Sequence, residues 1–208
     1  GTTHATATTS VAGFLSATDK TKIDNLPTPF IVWRTGATSG NGIVGSWAEV
    51  AAFATAAEAT WTLYFDDTVN QNIVPASADI DFRGLCVIIF SGKGSPGSIF
   101  VEDGAKLRNL KGLSTAAVIT CECTTTPAIY FDVTGAIFAL REGARVQAYN
   151  GTDFAGAGYV TATASPVIQV EVGSMVFASL EGGGVTFNGA VTGEPMIDFT
   201  VAGGFQIF

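Results

Sequence analysis

The feature that most constrains this chain is an internal repeat. Val-Glu-Asp-Gly-Ala-Lys-Leu at 101–107 aligns with Leu-Arg-Glu-Gly-Ala-Arg-Val at 140–146, and both align with the Gly-rich 180–185. The central glycines, Gly104, Gly143 and Gly183, are 39 and 40 residues apart. A second repeat overlaps the first: the Pro-Ala-Ile-Tyr-Phe-Asp-Val of 127–133 matches 166–172, and 195–201 repeats it 29 residues later. Between Gly104 and Gly143 lies one more alternating run, 118–123. Two units of about 20 residues per interval follow from this spacing. A unit that short cannot bury its own apolar face, so units must stack and share a core. The expectation is an all-β chain folded as a right-handed parallel β-helix with coils of about 20 residues. An antiparallel sandwich would explain the alternation but not the period.

Composition agrees with a chain that buries much of itself. Of 208 residues, 47% are apolar and only 13% charged, against about 25% charged in ordinary soluble domains. Mean hydropathy is +0.38. No apolar run reaches the roughly 18 residues of a membrane-spanning helix, so no membrane insertion is expected. The apolar surplus then calls for a large core or a wide subunit interface. Glycine is abundant, at 25 residues, which suits short strands joined by tight turns. A net charge of −8 argues against nucleic acid as a partner.

Three segments are expected along the chain. Residues 1–30 form an N-terminal segment, extended at first, with Ser16 as N-cap of a short helix over 17–25 that Pro27 and Pro29 end. Such a helix needs a partner, most simply its own copies in neighbouring subunits. Residues 31–60 form a linker and a capping helix. There Ser46-Trp47-Ala48-Glu49 has capping-box spacing, and the helix to about Glu58 would cover the open end of a solenoid. Residues 61–208 form the β-helix. The chain starts without Met and stops on the strand-like Phe205-Gln206-Ile207-Phe208, so it reads as a piece of a longer polypeptide.

Residues 4–27 then gain meaning. They run His, a Thr-rich stretch, then Ala12-Gly13-Phe14-Leu15-Ser16-Ala17-Thr18-Asp19-Lys20-Thr21-Lys22-Ile23-Asp24. This resembles a segment recurring in bacteriophage tail fibres, tailspikes and head fibres, departing from its usual form at Leu15, Thr18 and Ile23. Residues 46–90 are similar to the start of pectate-lyase-like β-helices in phage spikes, with Pro75, Asp81 and Gly84 at the loop and turn positions. The resemblance implies a homotrimer with a collar near its axis, a virion location, contacts to other tail or capsid proteins, and a host-surface polysaccharide or protein receptor. It implies either an adhesive fibre of tail or head, or a polysaccharide depolymerase on the same fold.

Chemistry has few candidates. Glycoside cleavage needs two carboxyl groups about 5–10 Å apart. Asp66 with Asp81, or Glu102 with Glu122, would suit stacked coils, but Asp beside turn residues more often caps backbone. Glu102, Arg141 and Glu181 sit at equivalent repeat positions and read as an outer face of mixed sign. The only histidine, His4, leaves no Ser-His-Asp triad; three copies on a threefold axis would form a weak metal candidate. Cys86, Cys121 and Cys123 read as buried thiols, and Cys121 with Cys123 lacks further metal ligands. Gly182-Gly183-Gly184 lacks the Lys of a phosphate loop. Trp33, Trp47 and Trp61 could stack on sugars but suit a core better. Asn150-Gly151-Thr152 has sequon spacing, which has no use in a bacterial virus. No cofactor is expected.

Overall fold

Short strands of alternating or wholly apolar residues, separated by four-residue turns, dictate the architecture. In the computed structural model the described residues are 30–33, 43–65, 72–90, 98–141, 143–149, 166–171, 174–179, 197–200 and 204–207. They form β1 (Phe30–Trp33), β2 (Ile43–Val44), α1 (Trp47–Ala56), β3 (Trp61–Phe65), β4 (Asn72–Val74), β5 (Asp79–Asp81), β6 (Cys86–Phe90), β7 (Ser98–Val101), β8 (Lys106–Arg108), β9 (Gly112–Leu113), β10 (Val118–Cys121), β11 (Ile129–Phe131), β12 (Ala136–Leu140), β13 (Arg145–Ala148), β14 (Ile168–Val170), β15 (Ser174–Ser179), β16 (Ile197–Phe199) and β17 (Gly204–Ile207). The collar segment and His4 lie outside these residues, as do Asp66 and Gly183.

All pairings among the described strands are parallel. They make three sheets: an eight-stranded sheet ordered β17-β15-β12-β9-β6-β3-β1-β2, a four-stranded sheet β13-β10-β7-β4, and a five-stranded sheet β16-β14-β11-β8-β5. From β3 to β14 the chain visits the three sheets in strict rotation. The all-β, parallel character expected from the repeat is therefore present.

The second repeat is a true stack. Ile129, Ile168 and Ile197 are in-register neighbours, and Leu107 and Ile80 extend the same ladder. The eight-stranded sheet has its own ladder of Ile31, Leu63, Ile88, Leu113 and Leu140. The four-stranded sheet stacks Ile99, Ile119 and Val146. These side chains are 0–1% exposed, apart from the half-buried Ile197, and belong to one core drawn from all three sheets. Placing like on like about every 4.8 Å lets successive strands share one packed core.

The glycine repeat means something else. Gly104 lies between β7 and β8, and Gly143 between β12 and β13, so they turn the chain between different pairs of sheets. What recurs is a turn. In 75–78, 82–85, 102–105, 114–117, 133–136 and 141–144 the fourth amide donates to the first carbonyl. Gly104 has φ +98, and a Cβ built on it would stand 3.2 Å from the Ala76 carbonyl oxygen of the neighbouring turn, a place where a side chain would be strained. The period of about 20 is corrected accordingly. Val101 pairs with Cys121, a step of 20, but Trp61 with Cys86 is a step of 25, Val118 with Arg145 one of 27, and Ile129 with Ile168 one of 39. Glu102 and Arg141 likewise sit at different corners rather than on one repeated face.

The expected capping helix is α1. The Ser46 side chain accepts from the Glu49 amide at 3.3 Å, and the Glu49 carboxylate accepts from the Gly45 amide at 2.7 Å. Trp47, Val50 and Ala54 bury the inner face. The helix packs on β5 and β2, end strands of their sheets. Covering β5 there shields a sheet end that would otherwise offer a template to another chain.

Candidate functional site

The polar side chains gather on two outer strips. The first follows the corner between the four-stranded and five-stranded sheets. Val101 and Cys121 are paired neighbours, so Glu102 and Glu122 follow them side by side on adjacent strands, about 5 Å apart at the backbone. Stacking thus brings the backbones of these two residues together. Each is engaged with backbone, however. Glu102 accepts from the Ala76 amide at 2.9 Å, and Glu122 from the Asp103 amide at 3.3 Å.

Asp103, between them, is the best-satisfied carboxylate of the strip. It accepts from the amides of Thr124, Thr125 and Thr126 at 3.1, 2.9 and 3.2 Å, and from the hydroxyls of Thr124 and Thr125. Burial works to raise its pKa, and these donors more than offset that, leaving the carboxyl below its usual range. Such groups tie one turn to the next.

The second strip is the outward face of the five-stranded sheet. Arg108 donates to both oxygens of Asp79, at 2.7 and 3.2 Å, and lies 3.7 Å from Asp132. The Arg108 hydrogen bond holds the Asp79 carboxyl below its usual range. Lys106 and Arg108 both sit over the Tyr130 ring, at 5.6 and 5.1 Å from its centroid. Burial raises the Tyr130 phenol.

Beneath these groups is Asn109, 1% exposed, with a left-handed φ of +54. Its amide nitrogen donates to Asp81 at 3.1 Å and Asp132 at 2.6 Å, and its oxygen accepts from the Asp132 amide at 3.0 Å. One side chain therefore stitches three successive strands. Asp81 also accepts from the Arg83 amide at 2.8 Å, so its role is in the turn, away from Glu102 and Glu122.

Asn109 and Arg108 were not among the sequence candidates. The available signal was a polar residue interrupting Leu107-Arg108-Asn109-Leu110, since Asn is among the few residues that accept a left-handed backbone.

The remaining candidates resolve into core. Trp33, Trp47 and Trp61 are buried, with Trp33 5.0 Å from Trp47 and 5.4 Å from Phe65, so they offer no sugar platform. The three cysteines are free and buried, and burial pushes the Cys86 and Cys121 thiols upward, which disfavours the thiolate needed for metal or redox chemistry. Among the described residues no three His, Cys, Asp or Glu side chains converge to hold a metal ion. A shallow groove of about 270 Å³ lies between α1 and the 75–80 turn, lined by Trp47, Ala51, Pro75 and Asp79 among others. No helix among the described residues is long and apolar enough to cross a membrane.

Comparison with protein families, curated proteins and solved structures found no match to this chain.

Proposed function

We propose that this chain is part of a trimeric bacteriophage fibre, a right-handed parallel β-helix carried behind a short collar, that serves attachment of the virion to its host cell. The observation that carries the fold is the rotation of the chain through three parallel sheets around one core. Strands wound that way are coils of a solenoid, with α1 as its cap. The fibre assignment rests on the resemblance of residues 4–27 to the collar segments of tail fibres, tailspikes and head fibres. Partners on this reading are two further copies of the chain, other tail or capsid proteins, and a polysaccharide or protein on the bacterial surface.

An enzymatic reading, a polysaccharide hydrolase or lyase, has one specific support: Glu102 and Glu122 directly follow the paired residues Val101 and Cys121 of adjacent strands, and glycoside cleavage uses two neighbouring carboxyl groups. Their bonds to the Ala76 and Asp103 amides favour a turn-binding role, and the adhesive reading is preferred.

Sedimentation of the 208-residue chain separates the main possibilities. A three-chain species is expected at micromolar concentration. A stable monomer that neither binds host cells nor blocks phage adsorption would sink the fibre reading. Reducing-sugar release from host capsule or lipopolysaccharide, abolished by Glu122→Gln, would establish the enzyme instead.

A further inference from the structure

The eight-stranded sheet differs from the other two in what it shows to the outside. Not one residue of its eight strands is Asp, Glu, Lys, Arg or His. Its strands read Cys-Val-Ile-Ile-Phe, Ala-Ile-Phe-Ala-Leu and Ser-Met-Val-Phe-Ala-Ser, the near-continuous apolar runs of a parallel sheet covered on both faces. Among the described residues, those facing inward are covered and those facing outward are less so: Val32, Tyr64 and Val87 are partly exposed, and Ile137 is 49% exposed.

We infer that this outward face is where copies of the chain meet, around an axis running along the stack of strands. The inference rests on the trimer reading above and names the face that reading leaves open. Three observations select a second copy as the occupant. First, each chain carries a net charge of −8, so copies repel except where they bring no ions together. This sheet is the face on which no strand residue is charged. Second, the face is long enough. Seven strand spacings of about 4.8 Å give a strip of about 34 Å, and strands averaging about 14 Å give on the order of 500 Å² per copy. Three such faces bury on the order of 1,500 Å² in the trimer as a whole, shared among three pairwise contacts. Third, the strip runs perpendicular to the strands, so copies related by an axis along the stack keep contact over its whole length, as a closed symmetric assembly requires.

The test uses the 208-residue chain and three variants. Tyr64→Glu and Ile137→Glu place a charge on the face, and Ile73→Glu alters an apolar residue 41% exposed on the four-stranded sheet. The expectation is a trimer whose dissociation constant rises at least tenfold in Tyr64→Glu and Ile137→Glu, with circular dichroism unchanged, and stays within twofold in Ile73→Glu. A wild-type trimer that persists in both face variants overturns the inference and leaves the trimer reading standing. A wild-type monomer overturns both.

Should the charged variants fail to fold, single cysteines decide. Ile137→Cys is expected to cross-link chains with a short bismaleimide and Ile73→Cys is not, the native cysteines being buried. The reverse pattern overturns the inference.

Discussion

The outward faces of the eight-stranded and five-stranded sheets belong to the same stack and solve its problems in opposite ways. On the five-stranded sheet, Asp79, Asp81, Lys106, Arg108 and Asp198 stand among fifteen strand residues. That face meets water and is tied across strands by side chains. On the eight-stranded sheet no strand residue is charged, and the strands are held by ladder bonds, close backbone packing and inward apolar side chains. A parallel sheet normally has both faces covered. The five-stranded sheet escapes that rule with a polar coat. The eight-stranded sheet does not, and its uncharged face reads as one made to be covered.

The largest expected effect falls beneath the polar coat. Asn109→Asp would set an introduced carboxylate against Asp81 and Asp132, in a site 1% exposed. A loss of about 4 kcal/mol in urea unfolding at pH 7 is expected, because a buried carboxylate oxygen would face two carboxylates where an amide had donated to them. The penalty should shrink as pH falls and the introduced group takes up a proton. Asn109→Gly keeps the left-handed backbone of +54 and loses only the side-chain bonds, so about 2 kcal/mol is expected. A neutral Asn109→Gly would mean that backbone conformation, rather than the stitching of three strands, is what Asn109 supplies.

The counterpart on the uncharged face is Gly112. A Cβ built there would stand 2.4 Å from the carbonyl oxygen of Ala139, on the neighbouring strand β12. Backbone cannot step aside as a flexible side chain would, so Gly112→Ala should cost about 3 kcal/mol. Unfolding monitored by tryptophan fluorescence checks this. A neutral result would mean that β9 and β12 tolerate separation, and the contrast between a side-chain-tied and a backbone-tied sheet would fail.

How far these differences were readable in the sequence depends on what each residue does. The Pro-led repeat was legible because its isoleucines face inward, where one periodic core must be filled strand after strand. Ser46 and Glu49 were legible because a capping box is local chemistry. The spacing between paired strands was not. Glycine marks a turn wherever the chain turns, so Gly104 and Gly143 recur without being stacked neighbours, and an apparent period of 20 covers steps from 20 to 39 residues. The pairing of Glu102 with Glu122 was legible from stacking, but not that backbone amides occupy them, which depends on the turns of the neighbouring strands. Asn109 was hidden for the same reason: its partners Asp81 and Asp132 are 28 and 23 residues away.

A smaller effect is expected at the corner strip. Asp103→Asn keeps the shape of the side chain but weakens its bonds to Thr124, Thr125 and Thr126, and should cost about 1.5 kcal/mol at pH 7. The folded pKa of Asp103 lies below the ordinary 3.8. Its stabilisation is therefore complete above that value and is lost as pH falls through the folded pKa. Wild type and variant should converge in thermal melts taken from pH 5 to pH 2. Convergence only above pH 5 would assign the bonds to another group.

The smallest effect is expected where the five-stranded face looks most strongly bound. Arg108 and Asp79 meet at 2.7 Å, but the Asp79 side chain is 54% exposed. Water screens such a pair, so a double-mutant cycle with Asp79→Asn and Arg108→Met should give a coupling of only about 0.5 kcal/mol, falling further in 1 M salt. Arg108→Met alone should cost more than the coupling, since its stem and guanidinium also cover the Tyr130 ring, 5.1 Å away. A coupling above about 2 kcal/mol would make the ion pairs themselves the fastening of this face. A small one leaves that work to Asn109 and leaves the charges as a solvated coat on this face.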